Sequence, residues 1–313
     1  MNESITEEAI RQSFRERMSR LYDTVRESTG KLALAAALIT GSATAMIVAE
    51  GSPAEAEASS EKSSEGDGYW MVTSNGNVYE FGDAQSYGSG FSETVDIEPT
   101  PDGNGYWLAT KYAFVSAYGD APFLDSDPHL QYDKKEVATS ISSTPTGRGY
   151  WMYTNLGRVV TYGDAQHFGD MSGTRLNGEI LDSVPTPSGQ GYYMVGSDGG
   201  VFTFGDAEFE GSTGDMKLNA PVQSLVPDPD GQGYWLFASD GGVFSFGAIF
   251  RGSTGDSQLN RPMTGGIAYG DGYLLVAEDG GIFNFSNKPF RGSLGDNPPV
   301  YPVVSVAAYA PKG

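Results

Sequence analysis

The chain has 313 residues, no cysteine, 43 glycines, 34 Tyr and Phe together, and a formal charge of −21. The missing cysteine excludes disulfides, thiolate metal sites, cysteine nucleophiles and a lipidated N-terminal Cys. Residues 66–313 hold 29 acids and 12 bases, a balance that repels phosphate backbones and anionic lipid, so nucleic acid is not an expected partner.

The first 31 residues are a charged lead. Ile10, Phe14, Met18, Leu21 and Val25 recur at steps of 4, 4, 3 and 4, the stripe of one amphipathic helix. Residues 32–49, LALAAALITGSATAMIVA, carry no charge and follow Lys31 and five arginines; Glu50, Glu55, Glu57 and Glu61 come after. That charge bias keeps the N-terminus in the cytoplasm and sends the remainder across a membrane. The stretch reads as a signal-peptide core with a small-x-small site at Ala54-Glu55-Ala56, or as a short anchor if uncleaved. Residues 50–65 are Ala, Glu and Ser with one Pro, a flexible linker. The expected location is the cell envelope or the exterior. Membrane contact is expected only through 32–49.

From Gly66 the chain repeats. Gly-x-Gly-Tyr occurs six times, at Gly66–Tyr69, Gly103–Tyr106, Gly147–Tyr150, Gly189–Tyr192, Gly231–Tyr234 and Gly270–Tyr273. Twelve residues after each Tyr stands Phe81, Tyr118, Tyr162, Phe204, Phe246 or Phe285. A strand-rich period near 42 residues marks a propeller or stacked array. In the fourth copy Tyr192–Val195 is a strand, Ser197–Gly200 a turn, Val201–Phe204 the return, Glu208–Glu210 a third short strand and Pro221–Val226 a fourth. All four Trp follow the repeat Tyr directly. Strand neighbours face opposite ways, so each sheet needs cover on both faces, as a blade between blades has. We name the small-residue strand before each Gly-x-Gly a, the Tyr-Trp strand b, the Val-Phe strand c and the Gly-Ser segment d.

The chain stops where its first copy begins. The terminal a strand, Val303–Ala308, lacks b, c and d after it, and the first b, c and d lack an a before them. The expected fold is an all-β, six-bladed β-propeller of four strands per blade over 66–313, closed by the C-terminal strand on Tyr69–Thr73.

The consensus Gly-Tyr-Trp-(Leu/Met)…Asp-Gly-Gly-Val-Phe-x-Phe-Gly-Asp-Ala-x-Phe-x-Gly-Ser resembles the tandem repeats of exported actinobacterial proteins of WD40-like propeller architecture. The resemblance covers residues 66–313 and implies export and a multi-bladed scaffold, but no reaction. Lys111-Tyr112-Ala113-Phe114 and Ser286-Asn287 depart from it.

No catalytic constellation stands out. Asp83, Asp120, Asp164 and Asp206 recur after Gly in the c–d turn and read as turn caps. His129 and His167 lie 38 residues apart, with no Glu or His at metal-ligand spacing, so neither cofactor nor metal is expected. The recurring aromatics read as core rather than as a sugar-stacking stripe. Alternate turns of a blade share an end of the ring: a–b with c–d, and b–c with d–a. The second end has changed b–c turns and d–a loops that differ in every copy. Its loop Asp125–Glu136 concentrates base. Lys111, Tyr112, His129, Tyr132, Lys134, Lys135 and Arg158 are therefore the candidate binding residues, for a protein or a cell-wall glycan. The competing expectation is a glycosidase- or lactonase-like hydrolase working in the axial cleft, which a cluster of charge at one axial mouth would favour.

Overall fold

The computed structural model describes residues 67–126 and 129–309, all of them β-strand, turn or loop apart from one 3-10 turn at Tyr132–Lys134. The lead, the uncharged stretch and the linker lie outside the described residues. Among the described residues no helix is long and apolar enough to cross a membrane.

Eighteen strands form six antiparallel sheets of three. The b strands are β1 (Gly68–Thr73), β4 (Gly105–Thr110), β7 (Gly149–Thr154), β10 (Gly191–Gly196), β13 (Tyr234–Ala238) and β16 (Gly272–Ala277). The c strands are β2 (Val78–Gly82), β5 (Val115–Gly119), β8 (Val159–Gly163), β11 (Val201–Gly205), β14 (Val243–Phe246) and β17 (Ile282–Phe285). The a strands are β3 (Thr94–Pro99), β6 (Ala138–Ser143), β9 (Ile180–Pro185), β12 (Val222–Pro227), β15 (Met263–Tyr269) and β18 (Val303–Tyr309). Five sheets run a-b-c in chain order. In the sixth, β18 pairs with β1, Tyr309 opposite Gly68 and Val303 opposite Thr73. The a strands neighbour one another in the order β3, β6, β9, β12, β15, β18, and β18 neighbours β3. They are the inner strands of a β-propeller architecture, and the c strands lie outermost.

The constant 12-residue interval is a cross-strand pair. Tyr69 sits opposite Phe81, Tyr106 opposite Tyr118 and Tyr192 opposite Phe204. Across all six repeats the ring centroids of these pairs are 5.1–5.9 Å apart. Changing the hairpin length by one residue would break the pair and turn the strand's faces over. The Tyr-Trp neighbours are buried on both faces, as expected, with Tyr69, Trp70, Tyr106, Trp107, Tyr234 and Trp235 fully enclosed. Each Trp or its Tyr193 equivalent packs on the Tyr of the next repeat: Trp70 on Tyr106, Trp107 on Tyr150, Trp151 on Tyr192, Tyr193 on Tyr234 and Trp235 on Tyr273, at 5.0–6.0 Å. Each such pair adds about 0.5–1.5 kcal/mol beyond burial.

The expected fourth strand is absent from every sheet: the d segments, Glu208–Glu210 among them, run as irregular chain outside the c strands. Tyrosine and tryptophan side chains hold them in place of a backbone ladder. Tyr234 Oη accepts from the N–H groups of Glu210 and Gly211 and donates to Gly211 O at 2.6 Å. Tyr106, Tyr192 and Tyr273 grip the d segment of the preceding repeat in the same way, and Tyr69 reaches Gly292 O across the chain-terminal sheet. From the other side Trp70, Trp107, Trp151 and Trp235 donate Nε1–H to a carbonyl in their own repeat at 2.7–2.9 Å. The glycine of Gly-Ser is required there. At Gly211 φ is +142°, and a Cβ would meet the Phe246 ring at 2.3 Å.

Candidate functional site

The turns sort into two ends as the strand directions dictate. At one end the c–d aspartates bond to the a–b turns: Asp164 accepts from Thr144 and Thr146, and Asp206 from Thr186 and Ser188, at 2.6–2.8 Å. These carboxylates cap the neighbouring turn across the sheet rather than their own. Thr186 and Ser188 hold the Asp206 carboxyl below the usual carboxylate range.

The inner strands close this end with a mouth of about 320 Å³. Pro99, Pro101, Pro145, Pro185, Pro187 and Pro227 wall it, and Glu98 lies among them. Glu98 Oε1 accepts from Ser143 N at 2.8 Å and Ser143 Oγ at 2.7 Å. Deeper, all six inner strands enclose a lumen of about 80 Å³ containing Asp96 and Asp182. Asp96 accepts from Ile141 N and Ser305 Oγ, and Asp182 from Leu225 N. Each carboxyl thus reaches the neighbouring inner strand and satisfies an N–H that no ladder pairs. Burial pushes Asp96 up to about 6 and Glu98 and Asp182 up to about 7; the three also repel one another's charge. Among the described residues no Lys, Arg or His lines either axial cavity. The sequence reading missed these three acids. The signal was available: they occupy a-strand slots where other repeats place Ser140, Ser142, Ser224 or Ser305.

At the other end the b–c turns receive the d–a loops. The d–a loops differ in sequence in every copy, but several share a backbone path. In repeats three to six the same two bonds recur, Thr213 N to Gly199 O and Met216 N to Thr213 O in the fourth, with equivalents at Met171, Thr254 and Leu294. Only their side chains change. Repeat one keeps the first bond, Gly90 N to Gly76 O, and repeat two carries the 3-10 turn.

This sector holds the candidate binding residues. Lys111 Nζ lies 2.5 Å from Glu93 and 5.1 Å from the Tyr112 ring centroid. Its bond to Glu93 raises its pKa. Tyr112 is partly exposed. His129, Lys134 and Lys135 are exposed; His129 and Lys135 have φ of +49° and +58°. Tyr132 opens the 3-10 turn. Arg158 grips Glu136, Nε to Oε1 at 2.7 Å and Nη2 to Oε2 at 3.1 Å. Glu136 is 1% exposed and also accepts from Gln131 N. Burial opposes its charge, but the Arg158 guanidinium holds it below the usual range. Arg158 therefore ties the repeat-two loop to the third sheet. Beside it lies a cavity of about 460 Å³, lined by Lys134, Asn155, Leu156, Arg175, Asn177 and Glu179 among others. Lys111, Tyr112, His129 and Lys135 are not part of its wall. Among the described residues no three His, Cys, Asp or Glu side chains gather where a metal could be held.

Among solved structures the chain is similar to the β-propeller domain of Cps50 (Swd1) from Myceliophteria thermophila, at 13% identity, 68% of this chain, 90% of that chain and a TM-score of 0.48. No family model and no curated protein matches the chain.

Proposed function

We propose that residues 66–313 form a closed six-bladed propeller, displayed outside the cytoplasmic membrane, that serves as a rigid binding scaffold for a protein or cell-wall glycan. The observation that carries the reading is the irregular sector at the loop end. The repeat-two loop departs in backbone from repeats three to six, and it borders the 460 Å³ cavity with lysine, arginine and amide side chains. Varied polar loops on a locked scaffold are where binding resides. Display outside the membrane rests on the uncharged stretch 32–49 and its flanking charges.

Capture of envelope components by the wild-type chain should fall at least several-fold in the K111E/K134E/K135E variant. Its melting temperature should stay within about 2 °C, because exposed substitutions rarely cost stability. Capture unchanged by the triple reversal removes this site. Fractionation with N-terminal mass spectrometry tests display: full-length soluble cytoplasmic protein contradicts it.

One observation favours the hydrolase reading, the carboxyl of Glu98 pushed up to about 7 in an open mouth, as a general acid requires. Turnover of chromogenic glycosides or lactones that disappears in E98Q would establish it. No turnover between pH 6 and 8 would dismiss it.

A further inference from the structure

We propose that the proline-walled mouth at the a–b end receives a lysine side chain from a basic partner segment, with Glu98 as its counter-charge. The site is at the opposite end from the loop sector and stands independently of it.

The wall chemistry points to a long apolar stem. Six prolines present rigid methylene faces that lose no side-chain entropy when covered. Lysine is the side chain that buries four methylenes while delivering a charge at its tip. The floor chemistry selects the sign. Glu98 spends Oε1 on Ser143, while Oε2 has no hydrogen-bond donor among the described residues. Asp96 and Asp182 lie further along the same axis, and among the described residues no cation lines either cavity. The surrounding rim agrees: among the described residues its a–b and c–d turns hold Asp83, Asp102, Asp120, Asp164, Asp206, Asp228, Asp230 and Asp271 against Arg148 and Lys288, with Asp271 paired to Arg251 at 3.4 Å.

The same groups argue against other cations. A guanidinium seeks both oxygens of a carboxylate side by side, and one oxygen of Glu98 is already taken twice. A calcium ion needs six to eight oxygen ligands. The mouth offers one carboxylate among prolines, and its Thr144 and Thr186 hydroxyls are committed to Asp164 and Asp206. An ammonium, a compact point charge, is satisfied by one free carboxylate oxygen and nearby negative field.

The test is calorimetric titration of the full chain with pentalysine, its fully acetylated form and pentaarginine at pH 8. Pentalysine should bind, acetyl-pentalysine should not, and pentaarginine should bind at least threefold more weakly. E98Q should weaken pentalysine at least tenfold, whereas D230N, an equal charge loss on the rim, should change it less than threefold. The side-chain amide in E98Q still offers an oxygen to Ser143. P187R supplies a second check at an exposed wall position: its fixed cation should abolish binding with the fold intact. Equal losses in E98Q and D230N would reduce the effect to general acidity and overturn the proposal. So would undiminished binding in P187R, or pentaarginine binding as tightly as pentalysine.

Discussion

Single hydroxyls hold this fold's periphery. The Tyr192 hydroxyl accepts from Phe168 N at 3.1 Å and donates to Gly169 O at 2.5 Å. Tyr192→Phe keeps the ring packing and strands both backbone groups. Leaving them unsatisfied should cost about 1–3 kcal/mol, read as a lower urea midpoint with an unchanged slope. A wild-type midpoint would mean that water replaces the clamp. Arg158 is the second residue-scale case. Its place in a varied loop sector suggests a binding residue, yet its guanidinium faces a buried carboxylate. Arg158→Ala leaves that charge uncompensated and should cost about 3–5 kcal/mol. The double variant Arg158→Ala with Glu136→Gln should recover much of it. A loss of less than about 1 kcal/mol in the single variant would show the pair to be dispensable.

Among the elements, β18 is the inner strand that completes the sheet of β1 and β2. It pairs with β1 along the whole strand and borders both β15 and β3. Removing residues 301–313 exposes the edge of β1 and the flanks of β3 and β15, and uncovers Trp70, which packs on Tyr309 at 5.3 Å. The truncated chain should be cut by protease at 25 °C under conditions the intact chain survives. Equal resistance would show that β1 and β2 are held without it. This pairing was legible in the sequence, because complementary termini and an invariant interval are both consequences of antiparallel register. The d segment was not. Glu208-Phe209-Glu210 alternates like a strand, but its neighbour Gly211 turns to positive φ, and the N–H groups of Glu210 and Gly211 donate to the Tyr234 hydroxyl of another strand rather than to a ladder. Alternation cannot distinguish a ladder from a clamp. Glu136 was illegible for a related reason: a glutamate in a charged loop looks solvated until Arg158, 22 residues on, is seen to fold over it. The axial acids were hidden by averaging, since small residues dominate the a strands and Asp96, Glu98 and Asp182 are the exceptions.

Over the whole molecule those three exceptions set the pH response. Their folded pKa values, about 6, 7 and 7, stand above the ordinary carboxylate value near 4. Between about pH 4 and 7 the folded chain therefore holds protons that the unfolded chain releases, and stability falls as pH rises through that window. Other carboxyls pull the opposite way: Asp67, Glu136 and Asp206 are held below their ordinary values, so their contribution is present above about pH 4 and is lost in stronger acid. The two sets together place maximal stability near pH 5, on the acid side of neutrality. The melting temperature should be several degrees higher at pH 5 than at pH 8. The Asp96→Asn, Asp182→Asn double variant should flatten that slope, because the amides still accept from Leu225 and Ile141 and carry no charge to desolvate. Pentalysine at pH 8, at a concentration a few times its wild-type Kd, should raise the wild-type melting temperature toward its pH 5 value and raise that of E98Q far less, since an ammonium at the mouth relieves the charge that a proton relieves in acid. A melting temperature that climbs from pH 5 to pH 8 would mean that the axial carboxylates are already solvated or paired, and that the axis is not the seat of the pH response.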